Sequence, residues 1–480
     1  MSVQMHGYSI AWSVPGSWSG RARLSSREIQ AGDLFAALPG QNHDGHKFVG
    51  DALARGAAVL LCAEGTAARL RSGDLPWLAD AALANVPRIL RESDLHQGMW
   101  LVEVNNVEQA LQELAHTRRR AYTGTVIGVT GSFGKTTTKE ILRQLLPGAQ
   151  ATQGNLNNHL GVPISLLNFD LRAPQWICEM GMNHPGELTR LGSLAEPELV
   201  LFTPLGRAHI GEASGEWIAQ AKTELLRTQV PPRSVWFPRN SPGYSEHIGA
   251  YAGTVTWYGI ESQGDPWRVT SLREDFPHGA TLEISHGAGS YRASWDVPLA
   301  DYAGSVLASL MLRSELGLPA DSVDIALRAY MGNRMRIVEP AEQQWVVNDA
   351  YNASPETMAA AARWCGRRQD EGYGVTALLA DMFELGSHSA ALHCEALQAW
   401  QQSNVSWRLA ARATDFEQAA QTLGYAHQPV LAELPSWHEL VRFVRPGTRG
   451  QIVFAKGSNG SGLGRQLDGV LPSHVGVAGA

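Results

Sequence analysis

Gly128-Val129-Thr130-Gly131-Ser132-Phe133-Gly134-Lys135-Thr136-Thr137-Thr138 joins two segments of opposite character. On its N-terminal side, Thr125 to Thr130 is a short β-branched run suited to a buried parallel strand. On its C-terminal side, Ile141, Leu142, Leu145 and Leu146 recur at helical spacing. A glycine-rich turn between a strand and a helix lets successive backbone N–H groups converge on phosphate oxygens, and the helix N-terminus adds positive potential. Lys135 is then placed to balance charge on terminal phosphates, and Thr136 to offer its hydroxyl to magnesium. Val129 stands where the strict P-loop pattern has its first glycine, so the loop is a variant. Its expected nucleotide contacts are Gly131, Ser132, Phe133, Gly134, Lys135, Thr136 and Thr137.

Outward from this loop the pattern is that of alternating strands and helices. Trp176 to Cys178 and Leu199 to Phe202 are further buried runs separated by helical periodicity, which implies βαβ units and a mostly parallel sheet. Upstream, Gly32 to Gly40 and Ala57 to Leu61 read as a small α/β unit, and a helix over about Val107 to Arg120 leads into the loop strand. Downstream, Ser234 to Val297 reads as strands and turns, a β-rich appendage with alternation over Ala280 to Ile284. Trp345 to Val347, Val375 to Leu379 and Ile452 to Phe454, with a helix from Glu356 to Trp364, predict a second open α/β sheet of Rossmann type. The predicted fold class is α/β in three domains: 1–105, a central P-loop domain over 106–331, and 332–480.

Composition excludes several classes. A chain of 480 residues with 44% apolar and 18% charged residues can fill several cores. A formal charge of -7 offers no basic field to a nucleic acid. Cys62, Cys178, Cys365 and Cys394 are scattered without metal-type spacing, which fits a reducing compartment. Neither a secretion signal at Met1 to Trp12 nor a membrane-length apolar run is visible, so a soluble, cytoplasmic protein without membrane insertion is expected.

Thr130 to Thr138 resembles the ATP loop of the Mur ligase family, whose members add amino acids or dipeptides to a nucleotide-linked muramic acid. The likeness continues through Thr152-Gln153-Gly154-Asn155-Leu156-Asn157-Asn158-His159-Leu160-Gly161, Glu179-Met180-Gly181-Met182-Asn183-His184-Pro185-Gly186-Glu187 and Asp349-Ala350-Tyr351-Asn352-Ala353-Ser354-Pro355-Glu356. It extends to Asp381-Met382-Phe383-Glu384-Leu385-Gly386 and Lys456-Gly457-Ser458, and in the first domain to Ser26-Arg27-Glu28-Ile29, Gly32 to Phe35 and Asp44-Gly45-His46. Matched segments run in order from about residue 24 to residue 460.

This resemblance implies an ATP- and magnesium-dependent ligase that activates a carboxylate as an acyl phosphate and joins it to an amine. The substrates it implies are a nucleotide-sugar peptide and a dipeptide, handled by a monomer. It makes 1–105 the nucleotide-sugar domain, with Ser26, Arg27, Asp44 and His46 as contacts, and 332–480 the ligase domain. Thr136, Glu179, His209 and a carbamylated Lys222 become the magnesium ligands. Arg336 becomes the phosphate-reaching arginine, Asp349 the ribose contact, Asn157 and Asn158 substrate contacts, and Tyr351, Asn352 and Lys456 the lining of the dipeptide or acyl-phosphate site, with Lys135, Lys222, His209, Arg336 and Lys456 catalytic. Where the family carries a His-Asn pair for adenine, this chain reads Asp301-Tyr302-Ala303-Gly304-Ser305, which puts Tyr302 forward as the base contact. Two other readings remain open: a related ligase coupling a different carboxylate and amine, and a non-catalytic nucleotide-binding module.

Overall fold

The computed structural model describes residues 20–40, 44–66, 100–206, 216–261, 265–287, 289–319, 321–330, 332, 334–426 and 429–471. The loop strand Thr125–Thr130 lies inside a six-stranded, wholly parallel sheet. From one edge to the other the strands are Thr254–Tyr258, Ser234–Pro238, Leu199–Phe202, Thr125–Thr130, Gln175–Glu179 and Gln150–Ala151. Central strands of such a sheet are covered on both faces, which is why Leu199–Phe202 and most of Thr125–Thr130 are apolar or small and buried throughout. The helix Lys135–Leu145 covers one face through Leu142, while Ile141 and Leu145 pack into the separate cluster that holds Trp267, Leu282 and Leu307.

Before the central sheet stand four short parallel strands, Ala22–Arg23, Leu34–Ala36, Val59–Ala63 and Trp100–Val104. The side chain of Asn168, at the end of the helix Gly161–Asn168, accepts from Ala22 N–H at 2.7 Å and donates to Ala22 C=O at 3.0 Å. One amide thus pairs with that edge strand as a neighbouring strand would. The connecting helix Val107–Ala121 is anchored by Arg119, which is buried and donates to Ala195 O at 2.6 Å, Glu196 O at 2.8 Å and Glu198 Oε1 at 2.7 Å. The other Glu198 oxygen accepts Val126 N–H at 2.5 Å, at the foot of the loop strand.

The sequence expectation of one β-rich appendage over Ser234 to Val297 is corrected. Its first two strands extend the central parallel sheet, and only Trp267–Asp275, Gly279–His286 and Gly289–Trp295 form a separate antiparallel meander, joined by Val323–Ile325. The reason lies in patterning: Ser234–Pro238 is buried at every position, whereas Trp267–Asp275 alternates. The remaining sheet runs Arg336–Ala341, Gln344–Asp349, Gln451–Lys456, Gly374–Leu379 and Ser406–Leu409, parallel except for its first pair. The meander and this sheet share one apolar cluster. Phe276 meets Trp345, Trp364 and Tyr373 edge-on at centroid distances of 5.3, 5.6 and 5.3 Å, and Glu274 beside it accepts from Arg368 at 2.7 Å.

Candidate active site

The central strands deliver their carboxyl ends to one edge of the sheet, where open α/β sheets bind ligands. Gly131 follows the loop strand with φ +148, and a Cβ there would stand 2.0 Å from Thr203 Oγ1. Only glycine lets the loop cross the end of the neighbouring strand so closely. Thr203 Oγ1 in turn donates to Phe133 O at 2.6 Å, and Ser132 N–H donates to Pro204 O at 3.0 Å, so the loop is held by the segment after Leu199–Phe202. Gly134, at φ +82, turns the chain into the helix.

Lys135 folds over the loop, its Nζ donating to Gly131 O at 2.9 Å and Ser132 O at 3.0 Å. Burial lowers its pKa; the Glu179 carboxylate counters this in part, and the nearby Arg334 lowers it further. Thr136 Oγ1 donates to Glu179 Oε1 at 3.2 Å, and Asn157 Nδ2 donates to the same oxygen at 2.8 Å. Glu179 Oε2 is buried without a hydrogen-bond donor among the described residues. Gly181 N–H donates to Asn157 O at 2.7 Å, which ties the paired-Asn segment to the strand that carries Glu179.

Lys222 ends the helix Glu216–Lys222 and is buried, with no hydrogen bond or ion pair from its amine among the described residues. Burial, and after it the charge of Lys135, push its pKa well below the usual lysine value of 10.5. A lowered pKa favours the neutral, nucleophilic form of the amine. The structure therefore brings Lys135, Thr136, Asn157, Glu179 and Lys222 together, whereas His209 lies outside the described residues.

The C-terminal sheet faces this edge. A Cβ on Gly206 would come 3.1 Å from both Glu356 Oε2 and the Phe133 ring, so the first turn of the helix Pro355–Asp370 reaches the phosphate loop. Arg334 lies over the Tyr351 ring at 3.9 Å and is near enough to Lys135 and Tyr302 to influence both. Arg336, two residues on, turns away and pairs with Asp468. Met335 between them has φ +50, and this left-handed residue sends the two arginines apart.

Other expected residues are engaged within the chain. Lys456 Nζ donates to Asp349 Oδ2 at 2.5 Å and Asn352 O at 2.9 Å, while Asp349 Oδ1 accepts Met335 N–H at 3.1 Å. Asn158 Oδ1 accepts Gly161 N–H at 2.9 Å and so caps a helix, leaving Asn157 alone to face Glu179. Tyr302 shares a side-chain hydrogen bond with Thr137 in the phosphate-loop helix, and burial raises its pKa. In the first sheet, His46 takes Ala63 N–H on Nε2 at 3.0 Å and pairs through Nδ1 with Asp44 at 2.6 Å; Ser26 is buried against Asp51, and Arg27 is exposed.

Sequence reasoning missed Arg334, Glu356, Thr203 and the buried Lys139. Only Lys139 left a signal in the sequence, its place one helical turn after Lys135.

A strand-turn-helix phosphate loop, a buried carboxylate beside its threonine and a buried lysine without a partner among the described residues define a nucleotide-dependent enzyme of the α/β class. Three family models match in order: the Mur ligase family catalytic domain over residues 23–119, the Mur ligase middle domain over 129–299, and the Mur ligase glutamate ligase domain over 333–459. The UDP-N-acetylmuramoyl-tripeptide–D-alanyl-D-alanine ligase of Synechocystis is 30% identical over 378 residues, covering 77% of this chain and 74% of that protein. The chain belongs to the Mur ligase family. Its fold is also that of MurF from Acinetobacter baumannii, with TM-score 0.73 at 23% identity over 94% of this chain and 93% of the other. The MurF ligase of Thermotoga maritima, solved in complex with ADP, superposes with TM-score 0.70 at 23% identity over 94% and 97%.

Proposed function

We propose that this enzyme uses ATP to activate the free carboxylate of UDP-N-acetylmuramoyl-tripeptide and joins it to the amine of D-alanyl-D-alanine. The observation that carries this reading is the cluster of Lys135, Thr136, Glu179 and Lys222 at the carboxyl edge of the central sheet. Its support from relatives is the name borne by the Synechocystis protein.

The residues present fit a divalent cation. Glu179 keeps one buried oxygen without a donor, Thr136 offers a hydroxyl against the other, and Lys222 is held as an amine able to add carbon dioxide. Thr136, Glu179, a carbamylated Lys222 and His209 are the proposed magnesium ligands. Magnesium, when bound, screens the phosphates and polarises the phosphoryl group under attack.

The chain's own part is positioning. Lys135 leaves its loop carbonyls for the terminal phosphates, and Arg334, held over the Tyr351 ring, approaches from the C-terminal sheet. The substrate carboxylate attacks the γ-phosphorus as ADP departs; the dipeptide amine then attacks the acyl carbonyl, and phosphate leaves with the carboxylate-derived oxygen. Because residues from both sheets meet over the loop, closure excludes water from the acyl phosphate. In this reading 1–105 holds the nucleotide sugar, 106–331 the ATP and 332–480 the dipeptide, with Asp349 and Tyr302 against the adenosine.

Phosphate release from ATP, with the muramoyl tripeptide and D-alanyl-D-alanine each omitted in turn, tests the proposal. Turnover that needs both is the expected result. Turnover only with another amine points to a related ligase, and tight ATP binding without turnover to a non-catalytic module. Lys222→Ala should lower turnover by about a thousand-fold, with partial recovery in millimolar short carboxylates; unchanged turnover removes the carbamate.

A further inference from the structure

Lys139 is the most deeply buried charge near the site, with no exposed side-chain surface. It stands on the same helix face as Lys135, one turn further from the loop. A lysine in that position is tolerated only if its charge is matched. Its Nζ donates to Gly154 O at 3.1 Å and lies 3.3 Å from Glu140 Oε1 and 3.6 Å from Glu179 Oε2. Glu140 is already shared with Arg143, at 2.8 Å. Glu179 Oε2, by contrast, has no hydrogen-bond donor, and Lys139 is the one cation within 4 Å of that carboxylate among the described residues.

The two carboxylate oxygens of Glu179 therefore have separate duties. Oε1 is turned to Thr136 and Asn157, and Oε2 to Lys139. Through Gly154 the same ammonium also holds the start of the segment that ends in Asn157. Glu179 and Lys139 together carry no net formal charge, so a bare divalent cation meets little attraction there. A polyphosphate brings the missing negative charge with it.

We propose that Lys139 is a positioning residue that keeps Glu179 ion-paired, so that Glu179 takes a divalent cation only together with a polyphosphate. This rests on the reading of Glu179 as a metal ligand. Removing the ammonium should free the carboxylate to bind the cation alone.

Binding of Mn²⁺ to the full chain, followed by electron paramagnetic resonance with and without ADP, separates the possibilities. Wild type should bind Mn²⁺ with ADP and only weakly without it. Lys139→Met should bind Mn²⁺ alone at least about ten-fold more tightly than wild type, and Lys139→Arg should behave as wild type. Equal affinity of Lys139→Met and wild type for Mn²⁺ alone overturns the proposal while leaving the metal role of Glu179 intact. If Glu179→Gln leaves Mn²⁺–ADP binding unchanged, the metal reading and the proposal fall together. Should Lys139→Met melt far below wild type, the double variant Lys139→Met/Glu179→Gln decides: recovery of the melting temperature supports the pair, and no recovery sinks it.

Discussion

The carboxyl edges of the central and C-terminal sheets carry similar residues in opposite states. At the central edge, Lys222 has no partner among the described residues, and Glu179 keeps an oxygen without a donor. At the C-terminal edge, Lys456, Asp349 and Asn352 close on one another, Arg336 is paired with Asp468, and Asp381 accepts Phe416 N–H at 3.1 Å at the start of a helix. Buried polar groups in a folded protein find partners within the chain unless something outside it is to supply them. The difference separates an edge with polar groups left open from one whose polar groups are already closed within the chain, although the sequence presents the same residue types at both.

The comparison is broken most severely at Gly131. Gly131→Ala would drive a methyl group to 2.0 Å from Thr203 Oγ1 and 2.6 Å from its carbonyl oxygen at φ +148. We expect a loss of about 3 kcal/mol or more in denaturant unfolding and at least about a hundred-fold in ADP affinity by calorimetry. Retained ADP affinity would mean that the loop backbone is not the phosphate cradle.

Phe276→Ala tests the packing beneath the C-terminal sheet. It removes a buried ring from the aromatic contact between the meander and the C-terminal sheet, and should cost about 3–5 kcal/mol. ADP affinity should stay near wild type, since the ring contacts of Phe276 among the described residues are with Trp345, Trp364 and Tyr373.

The two arginines sharpen the contrast within one short segment. Arg334→Ala should raise the KM for ATP about ten-fold or more, as expected for the loss of a charge-assisted contact. Arg336→Ala should change stability by less than about 1 kcal/mol, because both members of its ion pair are roughly a third exposed. A reversal of these effects in steady-state kinetics would return the phosphate role to Arg336.

The smallest effect concerns pH. The Lys222 amine has a lowered pKa in the folded chain, so between that value and 10.5 the unfolded chain binds the extra proton. Burial of this amine therefore costs stability at neutral pH, and the cost shrinks as pH rises toward 10.5. In buffer free of carbon dioxide, Lys222→Met should be more stable than wild type near neutrality. The gap should narrow by at most about 1.4 kcal/mol per pH unit in urea titrations; a gap that does not move with pH would place the amine in water.

What the sequence disclosed follows from locality. The strand-loop-helix around Gly131 is written in adjacent residues, and the runs Thr125–Thr130 and Leu199–Phe202 are strands from end to end. The fate of Ser234–Pro238 was not legible, because a short buried strand has the same composition in an appendage as in a parallel sheet. Nor was the divergence of the Arg334 and Arg336 side chains, one over Tyr351 and the other paired with Asp468, on either side of one positive φ at Met335 that no residue type announces. His46 and Asn158 stood in the expected motifs, yet their nitrogen and oxygen atoms serve a turn and a helix cap.

The anchorage of Val126 through Glu198 and Arg119 sits at one end of a strand whose other end carries the loop. Five residues of extended backbone, about 17 Å, separate that mooring from Gly131. The loop's address is thus surveyed from a distance by stiff chain. Its lettering can be edited, as Val129 already shows, without moving the spot where chemistry is delivered.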